Sequence, residues 1–437
     1  MRKSSMLINL LFFLILFSCS ASNPAYSQEI QFVTGPVATI MSTADMNANG
    51  LMFMDEPIGF IKTKNGYKAF SAGGSFNGVG NNAKLPAGTY AFAGTLNHLE
   101  PAVRKGEWPS YSLTSGRVQP SPDGSDFDRD YAGGGPTYNI LVPSNNSSRS
   151  VLKLKQEGNL RHVLLQIYHG EYQYYYPKGM PAYGGSGLAI SLDEGITFKK
   201  IGQILYPYLS REDYLKTNPS GGLWADGAMI EADNEGHYIN HCFVSNGPLE
   251  KNRSYYYIIF TDRNSIEESG NSIALARVDN TDMWAALEKG KAPTVHKYFN
   301  PVGSVVHNTG FFTEPGIGGR STPIIVPRKN EHINSPFIIW NVYIKKYILS
   351  YQSNQKKIML QTSDNLYQWS PPTEIVGLDV NSDQKVFNPT MVGLKDSPEI
   401  LGKNFYVYYL QRTATNNGLI EPRIQRVEVT ISDIIQN

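Results

Sequence analysis

The sequence predicts an all-β fold, a five-bladed β-propeller, on three observations. Strand-forming residues dominate: 27 Tyr and 19 Phe stand among many Val and Ile, and 40 Gly and 26 Pro punctuate short apolar runs. Aromatic and β-branched side chains suit a pleated, half-buried surface, while Gly and Pro mark the turns between strands. Helical periodicity is nearly absent; only Met283 to Lys289 reads as a helix. The third observation is a repeated opening: a carboxylate, an apolar strand, a tight turn containing Asn and Gly, then an aromatic. It is clearest in Asp226-Gly-Ala-Met-Ile-Glu-Ala-Asp-Asn-Glu-Gly-His-Tyr238 and recurs in Asp55-Glu-Pro-Ile-Gly-Phe-Ile-Lys-Thr-Lys-Asn-Gly-Tyr67. Glu314-Pro-Gly-Ile-Gly-Gly repeats its start more loosely. Weak repetition in a long all-β chain favours one closed ring, and a ring removes the sticky edges of open sheets.

Taken from the N-terminus, residues 1–18 read as a signal peptide. Arg2 and Lys3 open it, and an apolar run from Leu7 to Phe17 is broken only by Asn9. That run is shorter than the roughly 20 residues a spanning helix needs. Leu16-Phe17-Ser18-Cys19 resembles the bacterial lipobox, in which Cys19 would carry lipid; an ordinary cleaved signal peptide is the alternative. Residues 19–32 are then the lipidated Cys and a tether, and residues 33–437 the propeller. Such a leader places the protein on a bacterial cell envelope, touching the membrane through lipid alone.

The blades divide as Val33 to Leu99, Asp126 to Tyr206, Asp226 to Phe299, Gly310 to Val376, and Val386 to the end. Val33 to Met41 is expected to close the ring by pairing with the last blade. Six blades is the alternative count, and Asn77 to Pro136, poor in strand signals, reads as an insertion over one face. With 39 basic and 38 acidic residues and a formal charge of +1, no basic stripe suits nucleic acid. A monomer is expected. If Cys19 is lipidated, Cys242, the second of two cysteines, has no disulfide partner and reads as an inert buried thiol.

Ser191-Leu-Asp-Glu-Gly-Ile-Thr-Phe198 resembles the Asp-box found on propeller hairpins, and Ser363-Asp-Asn-Leu-Tyr-Gln-Trp369 resembles a variant of it. Both report architecture, not catalysis. Together with the blade openings, they make the chain similar to the five-bladed propeller glycoside hydrolases of the arabinanase and β-xylosidase type. The resemblance covers most of residues 33–431, through degenerate motifs. It implies Asp55 as the general base that activates water, Glu314 as the general acid, and Asp226 as the residue that orients Glu314 and raises its pKa by like-charge repulsion. The chemistry needs one ionised and one protonated carboxyl across the glycosidic bond, about 6.5–9.5 Å apart in an inverting enzyme. The substrate would be carbohydrate, with no cofactor required.

Each carboxylate also has a plain structural reading. Asp55 could start a turn, and Glu314 could pair with Arg320. Asp130, before Tyr131-Ala-Gly-Gly-Gly, is the reserve carboxylate. Asp126, Asp128 and Asp130 have near-calcium-loop spacing. The stretch reads first as a solvated acidic loop, and a structural calcium stays open. His169-Gly-Glu171-Tyr172, followed by Tyr174 to Tyr176, suits a substrate wall, because aromatic faces stack on sugar rings and His and Glu bond hydroxyls. Trp224 and Arg320 are further substrate-binding candidates. His241 and His307 read as structural, and no zinc, nucleotide-loop or serine-elbow motif appears. Three other classes remain open: a sialidase-like propeller using Arg263, Arg320 and Arg412; a lyase using His169 with Tyr172; and a non-catalytic glycan-binding lipoprotein.

Overall fold

A computed structural model describes residues 30–48, 55–63, 65–73, 88–101, 119–135, 137–143, 160–172, 183–213, 223–239, 254–262, 271–300, 311–395, 397–414 and 420–432. The leader, Cys19, the tether to residue 29, His241, Cys242, Arg263, His307 and Tyr174 to Tyr176 lie outside the described residues.

Five antiparallel sheets form five blades. Blade one holds Gly59–Thr63, Gly66–Gly73, Gly88–Thr95 and His98–Pro101. Blade two starts with an inner strand in two pieces, Tyr131–Gly133 and Thr137–Pro143, and continues through Leu160–Tyr172, Tyr183–Ser191 and Lys199–Leu205. Blade three runs from Leu223–Asp233 through Ser254–Asp262 and Ser272–Asp279 to His296–Tyr298 and Phe312–Pro315. Blade four runs from Ile333–Asn341 through Lys346–Ser353 and Lys357–Ser363 to Thr373–Gly377. Blade five joins Gln384–Gly393, Asn404–Ala414 and Ile420–Ile431 to Phe32–Met41. That last pairing is antiparallel, from Phe32 opposite Ile431 to Met41 opposite Ile424, and it closes the ring with a strand from the start of the chain. The count is five.

The blades are held by five apolar cores, one between each neighbouring pair. Adjacent residues of a strand point to opposite faces of its sheet, so a strand buried on both faces must be apolar at successive positions. Ile258 and Ile259 show this. Ile258 packs towards blade two with Leu165 and Leu188, and Ile259 towards blade four with Ile338 and Leu349. Ile339 then joins Met391 and Val407 of blade five. Tyr408 and Ile424 of blade five pack on Phe60 and Phe92 of blade one. Phe70 of blade one packs on Leu164 and Tyr168 of blade two. Each fully buried apolar side chain contributes about 1.5–3 kcal/mol.

Two helices occur among the described residues, Thr43–Ala48 and Asn280–Glu288. The second covers the predicted helical stretch and is capped by Asp279, whose carboxylate accepts from Thr281 N at 2.8 Å. Local side-chain bonds shape the outer turns. Asp193 accepts from Thr197 N and Oγ1, at 2.8 and 2.6 Å, and Asp233 takes backbone N–H groups of Glu235 and His237, each at 2.8 Å. Phe198, following the first of these turns, meets Phe70 edge-on at 5.6 Å, so this hairpin is pinned to blade one.

The segment before blade two is tied down by a buried ion pair. Lys200 Nζ lies 2.6 Å from Asp128 Oδ2, and donates to Gln119 O at 2.9 Å; the Tyr168 hydroxyl also donates to Asp128. Burial raises the Asp128 pKa and lowers that of Lys200, while each charge opposes the shift of the other. Removing one partner strands the other charge. Lys200→Met is expected to cost about 3–5 kcal/mol in urea unfolding, and Lys200→Met with Asp128→Leu substantially less. Equal losses in the single and double variants would contradict this account.

Candidate active site

The inner strands share one irregularity. In blade four, Asn334 pairs with Gln352 and Phe337 with Ser350, leaving Ser335-Pro336 as a bulge. In blade five, Phe387 pairs with Leu410 and Thr390 with Tyr408, leaving Asn388-Pro389. In blade three the register slips between Trp224 and Ala228, around Asp226-Gly227. In blade two the inner strand breaks after Gly133, at Gly134-Gly135, and in blade one Glu56-Pro57 precedes Gly59–Thr63. A bulge re-aims one side chain, and Pro is tolerated there because the ladder N–H is already lost. Ser335 and Asn388 pay a conformational cost, with φ of 52° and 53°, where side chains other than Gly are disfavoured.

Contacts between neighbouring blades join several of these points. Ser335 Oγ donates to Asn388 Oδ1 at 2.7 Å, joining blades four and five. Ile58 N donates to Thr390 Oγ1 at 2.8 Å, joining five and one. A Cβ on Gly135 would lie 1.6 Å from Pro57 O, so blades one and two touch backbone to backbone. Second-strand polar groups support the ring: Ser71 Oγ donates to Glu56 O, Gln166 Nε2 to Gly135 O, and Gln352 Oε1 accepts from Asn388 N. At these points stand Glu56 before blade one, Gly135 in the break of blade two, Asp226 within the register slip of blade three, and Ser335 and Asn388 in the bulges of blades four and five. Two of the five are acids.

A polar cluster lies beside this ring. Asp55 is anchored by its backbone N–H to Ala72 O, and its Oδ1 lies 3.0 Å from Nη2 of Arg412 on the second strand of blade five. Desolvation pushes the Asp55 carboxyl up to about 6; Arg412 opposes the shift, and the negative charge of Glu171 adds to it. Glu171 Oε1 is 3.0 Å from Nε2 of the buried His169. The Tyr131 ring meets His169 edge-on at 5.8 Å. Burial drives the Tyr131 phenol well above its ordinary pKa, and Asp55, Glu56 and Glu171 add to the shift, so it stays a neutral donor. The arrangement gives one carboxyl balanced near neutrality beside a guanidinium, with a second carboxyl on an imidazole.

The structure therefore brings Asp55, His169 and Glu171 together. Asp130 joins them through its backbone N–H, which donates to Glu171 O at 3.0 Å. Tyr172 follows directly, but the Arg211 guanidinium sits 3.6 Å over its ring, so that face is no open platform for a sugar. Trp224 and Asp226 lie on the inner strand of blade three, in a part whose side chains are outside those described. Glu314 is not brought to this cluster. It was expected to open blade four, but that blade starts at Ile333, and Glu314 sits on the outermost strand of blade three. Four strand spacings of about 4.8 Å put it roughly 19 Å from the inner strand, beyond the separation for cleavage. Its carboxylate accepts from the backbone N–H of Arg320 at 3.0 Å, not from the guanidinium.

Arg320 lies on that outer loop and Arg412 beside Asp55 on blade five, so these two do not form the arginine cluster a sialidase requires. His169 is engaged by Glu171 and Tyr172 by Arg211. Asp126 turns to Arg211 and Asp128 to Lys200, so the acidic loop does not converge on one ion. Among the described residues no three His, Cys, Asp or Glu side chains group to hold a metal. A cavity of about 480 Å³, lined by Gln203, Val295 and Ile317 among others, lies at the outer rim between blades two and three, away from Asp55. Sequence reasoning missed Glu56 and Tyr131 as site residues, and named Arg412 only for a sialidase-like site. The recurring Pro after Glu56, Gly135, Ser335 and Asn388 was the available signal for the first.

Neither a family model nor a curated protein sequence matches the chain. Among solved structures it is similar to a glycosyl hydrolase from Bacteroides ovatus, at 9% identity and a TM-score of 0.43, over 90% of this chain and 94% of that one. A GH62 hydrolase in complex with xylotriose aligns at 9% identity and a TM-score of 0.42, over 91% and 97%. The Cellvibrio cellulosa α-L-arabinanase complexed with arabinohexaose aligns at 10% identity and a TM-score of 0.39, over 85% and 91%. Similarity at this level says nothing about chemistry, which rests on this chain's own residues.

Proposed function

We propose that the protein is a glycoside hydrolase acting on polysaccharide or oligosaccharide at the axial end of the propeller. The observation that carries this reading is Asp55, a carboxyl beside Arg412 and Glu171 whose pKa is pushed up to about 6. Above that pH Asp55 is ionised and can take a proton from water attacking the anomeric carbon. The opposing proton donor would come from across the axis, and Asp226, the acid on the blade-three bulge, is assigned that role in place of Glu314. Glu56, just before the first strand of blade one, is the third carboxyl, and its charge would help keep a neighbouring acid protonated. Asp130 remains the reserve. The leader ending at Cys19 would hold this site on the cell envelope.

Asp226→Asn and Glu56→Gln test the site. The purified protein is expected to release reducing ends from one member of a panel of arabinan, xylan, galactan and sialylated glycan. Each substitution should lower that rate by about 10²–10⁴-fold. Cleavage unchanged by both would refute an axial site. Glycan binding with no cleavage of any member would make the protein a glycan-binding propeller instead.

A further inference from the structure

Beyond Glu171 a row of guanidinium and tyrosine groups lies over the end of blade two and the outer loop of blade three. Arg129 Nη1 donates to the Tyr172 hydroxyl at 3.3 Å, and its guanidinium lies 5.4 Å from that ring. Arg211 covers the face of the same ring. Tyr208, three residues before Arg211, is an exposed aromatic, and the Arg320 guanidinium sits 5.0 Å over its ring and donates to its hydroxyl at 3.3 Å. The loop bearing Arg320 is fixed to this end of blade two: Tyr206 N donates to Gly316 O, and Gly318 N to Tyr206 O.

The acids along the row are already engaged. Asp55 meets Arg412, Glu171 meets His169, Asp126 meets Arg211, and Glu314 takes the Arg320 backbone N–H. Arg129 and Arg320 make no ion pair with a carboxylate among the described residues. Both are exposed, and both are steadied by a tyrosine. A guanidinium steadied by a tyrosine hydroxyl through one N–H keeps its other donors for a planar or tetrahedral anion, which it binds in bidentate fashion.

We propose that this row is a binding path for an anionic glycan, with Arg129 beside Tyr172 and Arg320 at the rim each taking a carboxylate or sulfate of the same chain. The inference deepens the hydrolase reading and rests on it for the carbohydrate nature of the ligand. It replaces stacking on Tyr172 with charge recognition.

Titration calorimetry of the purified protein tests it, using oligogalacturonate, sulfated dextran oligosaccharide and neutral xylo-oligosaccharide of matched length at low and high sodium chloride. An acidic ligand should bind at least about tenfold more tightly than the neutral one, and its affinity should fall as salt rises. Arg129→Gln and Arg320→Gln should each weaken the acidic ligand about five- to twentyfold and leave the melting temperature and the neutral ligand unchanged. The oligogalacturonate and sulfated arms separate carboxylate from sulfate as the recognised group. Equal or tighter binding of the neutral ligand, or acidic binding untouched by both substitutions, would overturn the proposal. A product assay run alongside keeps the two readings apart. Acidic binding without cleavage removes the hydrolase reading and leaves the path. Cleavage of neutral glycan with no acidic preference removes the path and leaves the hydrolase.

Discussion

Asp55→Asn is expected to lower glycosidic cleavage at pH 7 by about a thousandfold while the propeller stays folded. The residue sits where blade one begins, beside Arg412 and within reach of the Glu171 charge. With its carboxyl pushed up to about 6, a base at this position works only when ionised, so the rate of the unaltered protein should fall as pH drops through 6. The residual activity of the Asn variant should lack that limb. Arg412→Leu removes the cation that favours the carboxylate, so the limb should move to higher pH. The stability effect runs the other way. The folded state holds the Asp55 proton up to about 6, against an ordinary value of 3.8, so it binds more protons than the unfolded chain between those values. Stability contributed by this group is therefore present at low pH and lost as pH rises through that window. At pH 7 the ionised side chain costs about 1–2 kcal/mol after allowing for its partial exposure to solvent. The Asn variant should melt no lower than the parent at pH 7. A melting point several degrees lower, or an unchanged pH limb in the variant, would remove Asp55 from the mechanism.

Architecture was legible where it is written locally. Successive apolar residues such as Ile258-Ile259 announce strands buried on both faces, and Asp233-Asn-Glu-Gly announces a turn whose Asp takes two backbone N–H groups. The closing strand, Val33 to Met41, was expected to pair with the last blade, and it does so with Ile420–Ile431. The candidate site was legible only in part. His169 and Glu171 lie two residues apart on one strand face, which brings them together whatever the rest of the fold does. The contact between Arg412 and Asp55 crosses 357 residues, and no local pattern encodes it. Glu314 misled because Glu-Pro-Gly looks like Glu56-Pro57 in sequence. What separates them is the strand that follows: Glu56-Pro57 leads straight into Gly59–Thr63, whereas Glu314 ends a strand at the rim and Ile333 begins the next inner one. Bulges are defined by the register between two strands, so a chain read alone shows only their prolines.

Gly135→Ala carries the largest structural effect expected of any single methyl group at the axis. The added Cβ would lie 1.6 Å from Pro57 O and 2.9 Å from Pro57 C, and both are backbone atoms that cannot rotate aside. Neighbouring Gly134 differs: its Cβ would meet the end of the Gln166 side chain at 2.8 Å, which can shift. At Gly135 the only relief is to part blades one and two. Blade one is held from its other side by the Ile58 N–H bond to Thr390 and by Phe60 packed 4.7 Å from Tyr408, so the strain falls on the two residues before Pro57. Those residues are Asp55 and Glu56. The substitution should therefore cost more than about 3 kcal/mol in urea unfolding and abolish cleavage even at temperatures where the chain remains folded. Gly402→Ala is the control, since a Cβ there meets nothing within 4 Å, and it should change neither property. A Gly135→Ala protein with parental stability would mean that the two blades do not meet backbone to backbone. An unstable variant that kept full activity would break the link drawn between the axial packing and the carboxylates beside it.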